Sequence, residues 1–306
     1  MPTTAFSTRK SNFLHRLEYY WYNFENSNMK NFLIITISVL VLFGLIVTFI
    51  IFLGRDLVLN LVSLTSKTNQ VTNKKVIDRF AVISDTHSDT LYTQKAVDQA
   101  KGLGVSYIID TGDWTKVGTI EELQIQKAIF DKSGLQYWGI MGDHDRWQSG
   151  QKNFELVFGK IYESFDQAGI HHILLDATDL TNGLGDEQLN WLESDIAKNK
   201  SKEILIFMHL PIYHPTSDRT IGAKGGSDPT RQKQTERFLS LIKGKKVIAM
   251  FSGDHHLSAS YTEPETSVKI FISGAVTRER NLQTPRFSLV EIFEDYSINV
   301  TDQIIE

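Results

Sequence analysis

The chain has 306 residues, of which 41% are hydrophobic and 22% are charged, so it is long enough for one sizeable folded domain with additional segments. Its formal net charge of -4 gives no basic excess to neutralise a phosphate backbone, which argues against nucleic acid as the main partner. Cysteine is absent, which excludes disulfides, thiolate-bound metals and thiol catalysis. Any metal must therefore be bound by His, Asp, Glu, Asn or water.

An apolar segment without charged side chains, residues 32–54, follows an N-terminal tail of residues 1–31. At a rise of about 1.5 Å per residue, a helix of this length can cross a hydrocarbon core of roughly 30 Å. A buried helix and a cleaved signal peptide are the alternatives, but the preceding tail and the lack of an Ala-x-Ala site favour a retained anchor. We therefore predict a single-pass membrane protein. The flanking basic residues are too evenly distributed to set its orientation. An extracytoplasmic catalytic domain is expected because a lone N-terminal span often keeps the N-terminus in the cytoplasm and exports the domain that follows.

Residues 55–77 are expected to be a tether, and a folded domain is predicted over residues 78–306. Within it, short apolar runs alternate with segments of helical periodicity, and the later part is rich in strands. This pattern predicts a layered α/β sandwich. Strands are predicted at 80–84, 105–109, 137–141, 204–208, 247–251, 269–272 and 287–292, and helices at 91–103, 120–133 and around 189–196.

Acidic and histidine residues recur just after the carboxyl ends of predicted strands, where open α/β sheets place their sites. Taken singly, each motif is weak evidence, because a Gly-Asp pair after a strand is usually a turn and a lone histidine is usually a hydrogen-bonded core residue. Their recurrence at successive strand ends instead indicates a metal site. The motifs are Asp85-Thr-His87, Gly112-Asp113, Gly142-Asp143-His144-Asp145, His209 and Gly253-Asp254-His255-His256.

The order of these motifs resembles the signature of the calcineurin-like metallophosphoesterases, which include purple acid phosphatases and cyclic-nucleotide phosphodiesterases. The similarity covers about residues 80–300. It implies two mixed β-sheets flanked by helices and the hydrolysis of phosphomonoesters or phosphodiesters by a hydroxide that bridges two divalent cations. The implied substrate is a small-molecule or lipid-linked phosphoester.

The resemblance also implies a role for each matching position. Asp85, His87 and His256 would bind one cation, Asp143, His209 and Asp254 would bind the second, and Asp113 would bridge both. His144 would protonate the leaving oxygen or hold a phosphoryl oxygen. Asp145 would fix the tautomer and orientation of the His144 imidazole.

Two positions depart from the family signature. Asp143 stands where the family has Asn, and Asp254 stands where it has the first His of Gly-His-x-His. Both changes add a carboxylate to the predicted ligands of the same cation, and a carboxylate-rich site favours manganese or iron over zinc. Magnesium and zinc are the alternative metals. The second position is either altered but competent or degraded, and His255, one place out of register, is a candidate replacement for the missing imidazole.

Other functions remain open at this point. A pyrophosphatase acting on nucleotide or lipid-linked diphosphates is an alternative within the enzymes, and a metal-binding scaffold without turnover is an alternative of another class. Trp114 lines the substrate pocket or packs in the core. Residues 215–231 resemble a long loop, and within it residues 222–226, with Lys224 and Arg231, are a solvated loop or a phosphate-contacting flap.

Overall fold

A computed structural model describes residues 74–147, 149–179, 183–221 and 229–306, together with residues 16, 18–23, 31, 37–38, 40–45 and 47–49. The chain divides into two compact units, Met1–Asn73 and Lys74–Glu306. In the first unit the described residues are helical. No helix formed by the described residues is long and apolar enough to cross a membrane. Positions 32–36, 39, 46 and 50–54 of the predicted span lie outside the described residues, as do positions 55–73 of the predicted tether.

Two mixed sheets form the centre of the second unit. One has five strands in the order β11-β10-β1-β2-β3, and the other has six in the order β4-β5-β6-β7-β9-β8. The strands are β1 (Val76–Ile83), β2 (Tyr107–Asp110), β3 (Gln136–Gly139), β4 (Glu163–Gln167), β5 (Ile170–Leu175), β6 (Glu203–Met208), β7 (Val247–Ser252), β8 (Ala259–Thr262), β9 (Lys269–Ile272), β10 (Arg286–Phe293) and β11 (Ile298–Ile304). The helices are α1 (Thr90–Gly102), α2 (Ile120–Ser133), α3 (Gly150–Phe158), α4 (Asp186–Lys198) and α5 (Pro229–Ile242).

Each sheet is parallel at its centre and antiparallel at one or both edges. Strands β1, β2 and β3 run parallel, as do β5, β6, β7 and β9, whereas β10, β11, β4 and β8 pair antiparallel with their neighbours. The predicted sandwich of two mixed sheets flanked by helices is confirmed. The parallel centres matter for function because they bring the carboxyl ends of five strands to one edge.

The alternation of side chains along β1 explains the layers. Phe80 and Val82 belong to the apolar core between the two sheets, whereas Ala81 and Ile83 point to the core between this sheet and helices α1 to α3. Because both faces of the strand are buried, polar and apolar residues do not alternate along it, as expected for strands in a parallel sheet. The inter-sheet core is aromatic: Phe80 stacks on Tyr107 with ring centroids 4.9 Å apart. Burying each such side chain contributes about 1.5–3 kcal/mol.

Local sequence signals predicted some helices and strands correctly and missed others. The helix predicted over 120–133 is confirmed as α2, which begins with a capping box between Thr119 and Glu122 and ends at Gly134 in the left-handed conformation. Strand β5 was not predicted, although all of its residues are buried, because two histidines interrupt its apolar run. Strands β4, β8 and β11 and helices α3 and α5 were also not predicted.

The two histidines of β5 have opposite environments. His171 lies between the carboxylates of Asp166 (2.8 Å) and Asp195 (2.7 Å). Burial opposes its charge, but the hydrogen bonds to Asp195 and Asp166 outweigh burial and raise the pKa of His171. His172 is fully buried between the sheets, 2.8 Å from the Tyr107 hydroxyl, and burial lowers its pKa to about 3.

We expect the stability contributions of these residues to change with pH in opposite directions. Because the folded state raises the pKa of His171, its contribution is complete below the unfolded value of about 6.5 and is lost as the pH rises through the folded pKa. His171→Gln should therefore lower the free energy of unfolding by about 1–3 kcal/mol near pH 5.5 and by less near pH 9.

His172→Gln is the matched control. The folded state keeps His172 neutral, so its contribution is complete above about pH 6.5 and declines as the pH falls from there towards the folded pKa. The cost of His172→Gln should thus shrink on acidification while that of His171→Gln grows. Urea denaturation at several pH values measures both, and parallel pH dependence in the two variants would contradict the assignment.

Candidate metal centre

Five strands end at the same edge of the sandwich, and each is followed by residues of the predicted site. Asp85 and His87 follow β1, Asp113 follows β2, Asp143 follows β3, His209 follows β6, and Asp254 and His256 follow β7. Hydrogen bonds join the loops within and between the sheets: the Asp85 amide donates to the Gly112 carbonyl (2.9 Å), and the Asp254 amide donates to the Asp85 carboxylate (3.2 Å). The loops from both sheets therefore form one connected edge.

Four residues form the first ligand group: the ligand atoms of Asp85, His87, Asp113 and His256 all lie within 4.8 Å of one another. The Nε2 atoms of His87 and His256 are 3.0 Å apart, and Asp85 Oδ1 lies 3.3 Å from His256 Nε2. His256 Nδ1 donates to the Arg280 carbonyl (3.1 Å), so Nε2 is the atom that faces the carboxylates: when protonated it donates to Asp85, and when deprotonated it offers a lone pair to a cation. Burial opposes ionisation, but the hydrogen bond with His256 and the neighbouring histidines lower the pKa of Asp85 to about 2.

Three residues form the second ligand group: the ligand atoms of Asp113, Asp143 and His209 also lie within 4.8 Å of one another. His209 is fully buried, and its Nδ1 donates to the Thr111 carbonyl (2.8 Å). Its Nε2 has no hydrogen-bond partner among the described residues, although it lies 3.4 Å from Asp113 Oδ1 and 3.4 Å from Asp143 Oδ1. A buried imidazole nitrogen and two nearby carboxylates together form a donor set suited to a divalent cation, so these residues fit a metal.

Asp113 belongs to both groups and connects them. Its Oδ2 lies 3.5 Å from His87 Nε2, and its Oδ1 lies 3.4 Å from His209 Nε2. The side chain is almost fully buried, and its Oδ1 also accepts a hydrogen bond from the His144 amide (2.9 Å). One carboxylate thus presents one oxygen to each histidine, which is the arrangement that bridging two cations demands.

The backbone of the site is strained at its ligand positions. Asp85, His87, Asp113, Asp254 and His256 all have positive φ, between 43° and 68°. Such conformations cost on the order of 1–3 kcal/mol each in non-glycine residues and persist only where the surroundings impose them. The chain packs closely here: a Cβ on the residue at 142 would lie 2.0 Å from the Asp113 amide nitrogen, so only glycine fits there.

Asp254, the remaining predicted ligand, lies beside the second group but is paired differently. Its Oδ1 is 3.7 Å from His209 Nε2, yet its Oδ2 accepts a hydrogen bond from Arg219 Nε at 2.6 Å. Arg219 Nη2 also lies 3.1 Å from Asp143 Oδ1. The sequence patterns did not indicate Arg219. The only available signal was indirect: two additional carboxylates at one position call for a cationic partner. Coordination by Asp254 stays a prediction.

His144 and Asp145 are placed differently from their expected pairing. His144 is half-buried, its ring lies 4.6 Å from the His87 ring, and its Nδ1 donates to the Lys116 carbonyl (2.8 Å). Asp145 does not orient this ring. Its buried carboxylate instead accepts hydrogen bonds from the amides of Gly142 (2.9 Å) and Thr115 (2.9 Å), so it braces the loops after β2 and β3. Burial raises its pKa to about 7.

Other expectations near the site are also settled by position. Trp114 is fully buried and its ring packs against Phe130, with centroids 4.8 Å apart, so it is a core residue and does not line a substrate pocket. His255 is outside both ligand groups, and its Nε2 donates to the Arg219 carbonyl (2.9 Å). Lys224 lies outside the described residues, and Arg231 lies in α5.

Comparison with known proteins identifies the family to which these motifs point. The family model described as calcineurin-like phosphoesterase matches residues 78–258. The probable glycerophosphodiester phosphodiesterase GpdQ of Arcobacter nitrofigilis is 28% identical over 165 residues, which cover 49% of this chain and 56% of that protein. The chain therefore spans little more than half the length of this relative. The resemblance predicted from the strand-end motifs is confirmed.

Solved structures share the same architecture. A dimetal phosphatase from Danio rerio aligns with a TM-score of 0.56 and 16% identity over 76% of this chain and 100% of that chain. A purple acid phosphatase from yellow lupin (Lupinus luteus) seeds aligns with a TM-score of 0.57 and 14% identity over 76% of this chain and 52% of that chain. At such low identities, these alignments demonstrate a common fold.

We expect Asp113→Asn to lose bound metal, because an amide cannot serve as an anionic bridge between two cations. Metal content after incubation with Mn²⁺ and desalting measures this directly. Asp110→Asn is the matched control: Asp110 is equally buried, burial raises its pKa well above the usual range, and it lies outside both ligand groups. Equal metal content in the Asp113→Asn variant and the wild type would exclude the bridge.

Proposed function

Because the chain belongs to the calcineurin-like phosphoesterase family, we propose that it is a metal-dependent hydrolase of phosphodiesters or phosphomonoesters with a two-cation centre. The observation that carries this proposal is the position of Asp113. Its two carboxylate oxygens face His87 in one ligand group and His209 in the other. Two ligand groups that share one carboxylate are the arrangement that two-metal phosphoester hydrolysis requires.

The residues that would hold the cations follow from the two groups. When bound, the two divalent cations supply positive charge for the phosphoryl oxygens and an acidified water as nucleophile. The first position has two imidazoles and two carboxylates, whereas the second has one imidazole and two carboxylates, with the carboxylate of Asp254 beside them. The second donor set is therefore harder and favours manganese or iron over zinc.

His144 is the proposed proton donor to the leaving group. Because its Nδ1 donates to the Lys116 carbonyl, its Nε2 is the atom left to hold and release a proton. Its amide is tied to Asp113 Oδ1 at 2.9 Å, so the ring stands beside the residue that connects the two ligand groups. The Lys116 carbonyl fills the orienting role that the sequence had suggested for Asp145.

The substrate class rests on the comparison and on the apolar N-terminal segment. The relative from Arcobacter nitrofigilis is named a probable glycerophosphodiester phosphodiesterase, which makes diesters the first candidates. The uncharged residues 32–54 favour a single-pass membrane anchor. An extracytoplasmic catalytic domain is proposed because lone N-terminal spans often export the domain that follows them, and an anchored enzyme would meet lipid-linked as well as small phosphoesters. A pyrophosphatase and a scaffold without turnover are the alternatives.

A substrate and metal panel tests the proposal. The purified full chain would be assayed with Mn²⁺, Fe²⁺, Mg²⁺ and Zn²⁺ in turn, each against a nitrophenyl diester, a nitrophenyl monoester, glycerophosphodiesters and a nucleotide diphosphate. We expect hydrolysis of an ester, and its loss in the Asp113→Asn variant. Cleavage confined to the diphosphate would favour the pyrophosphatase, and metal binding without any hydrolysis would favour the scaffold.

His144→Ala should lower kcat about 10²- to 10⁴-fold, the usual range for a positioned acid, without loss of metal. The defect should be smaller for nitrophenyl esters, because nitrophenolate leaves without protonation, than for esters of simple alcohols. Paired measurements of kcat and metal content on both substrates check this. Loss of metal, or an equal defect for both leaving groups, would contradict the role of proton donor.

A further inference from the structure

The second ligand position carries more negative charge than its neighbour. The carboxylates of Asp113, Asp143 and Asp254 surround His209 Nε2 at distances of 3.4, 3.4 and 3.7 Å. Asp113 and Asp254 are almost fully buried, and Asp143 is half-buried. Three carboxylates this close repel one another unless a cation lies among them, because burial weakens the screening by water.

The cation that the chain itself supplies is Arg219. Its Nε donates to Asp254 Oδ2 at 2.6 Å, its Nη2 donates to Asp254 Oδ1, and the same Nη2 lies 3.1 Å from Asp143 Oδ1. Both oxygens of Asp254 are thus engaged by one guanidinium in a bidentate pair, the strongest geometry for this type of ion pair. These hydrogen bonds raise the pKa of the Arg219 guanidinium above its already high value.

The loop that carries Arg219 is held in place at both sides. The Ile221 amide donates to the Pro211 carbonyl (3.0 Å), and the Ile221 side chain is buried in the core next to α4 and α5. His255 Nε2 donates to the Arg219 carbonyl (2.9 Å). The histidine next to Asp254 therefore fixes the backbone of the arginine that pairs with Asp254, so the contact is built into the fold.

We infer that the Arg219 guanidinium and the second divalent cation are alternative partners of Asp143 and Asp254, so that the second cation binds only as Arg219 leaves. This inference rests on the proposed two-cation function. A cation coordinated by Asp143 and Asp254 needs the oxygens that the guanidinium occupies, and two positive charges at that separation repel each other. Arg219 does not compete at the first position, because its described contacts do not include Asp85, His87 or His256.

Two consequences follow for metal binding. The first cation should bind with an affinity that does not depend on Arg219, whereas the second should bind more weakly because its association must break the ion pair. The guanidinium released by the second cation remains on a loop at the edge of the site, where it can meet an anionic substrate. The pairing thus couples occupancy of the second position to the position of Arg219.

Calorimetric titration of the full chain with Mn²⁺ tests the inference without measuring catalysis. In Arg219→Gln, we expect the affinity for the second cation to increase by a factor on the order of 10 to 100, the usual range for coupled binding, with the first unchanged. Arg237→Gln is the matched control: it removes the same charge from α5, where Arg237 pairs with Glu193 at 2.9 Å. Neither affinity should change in that variant.

A measurement on the wild type does not depend on the folding of a variant. Phenylglyoxal modification of Arg219, followed by peptide mass spectrometry, should be slow in the metal-free protein and faster once Mn²⁺ fills both positions. Weaker binding of the second cation in Arg219→Gln, or protection of Arg219 that persists at saturation, would overturn the competition. Unchanged affinities would overturn it and leave the two-cation function intact, whereas failure of every variant and the wild type to bind any cation would overturn both.

Discussion

The crowding of buried carboxylates at one edge of the sandwich is the constraint on which the rest of the site depends. Asp85 and Asp113 are almost completely withdrawn from water, and Asp254 is nearly so. Each would lose its charge in this environment without neighbouring positive charge or hydrogen-bond donors. The histidines of both ligand groups, the loop amides and the Arg219 guanidinium are the groups that offset this charge, and bound divalent cations would complete the set.

The fold meets this constraint with loops that follow buried strands and place several site residues at positive φ. Positive φ at ligand positions such as Asp85 and Asp113 turns their side chains inward, and the cost of these conformations is borne by strands whose residues are buried on both faces. The Asp145 carboxylate stabilises these loops by accepting hydrogen bonds from backbone amides of the loops after β2 and β3. The backbone therefore brings the candidate ligands together, while Arg219 pairs with Asp143 and Asp254.

The two candidate ligand positions are chemically unequal. The first has two imidazoles that face each other at 3.0 Å and resembles the common pattern. The second replaces a neutral amide and a neutral imidazole with Asp143 and Asp254, and the structure adds Arg219 to the same carboxylates. The change of two neutral residues to carboxylates in the sequence is accompanied by a compensating cation in three dimensions.

The sequence by itself determined the family, the layered α/β class and the acidic and histidine residues that meet at the site. Motifs such as Asp85-x-His87 and Gly112-Asp113 follow strands, and parallel strands deliver their carboxyl ends to one edge whatever the details of packing. Only the tertiary structure decided the partners of these residues. Arg219 lies 35 residues from Asp254 and 76 from Asp143 along the chain, and the group that orients His144 is a backbone carbonyl, which no residue type reveals. Strand β5 likewise escaped prediction because its histidines are accommodated by distant acidic and phenolic partners, and such partners become visible only when the chain is folded.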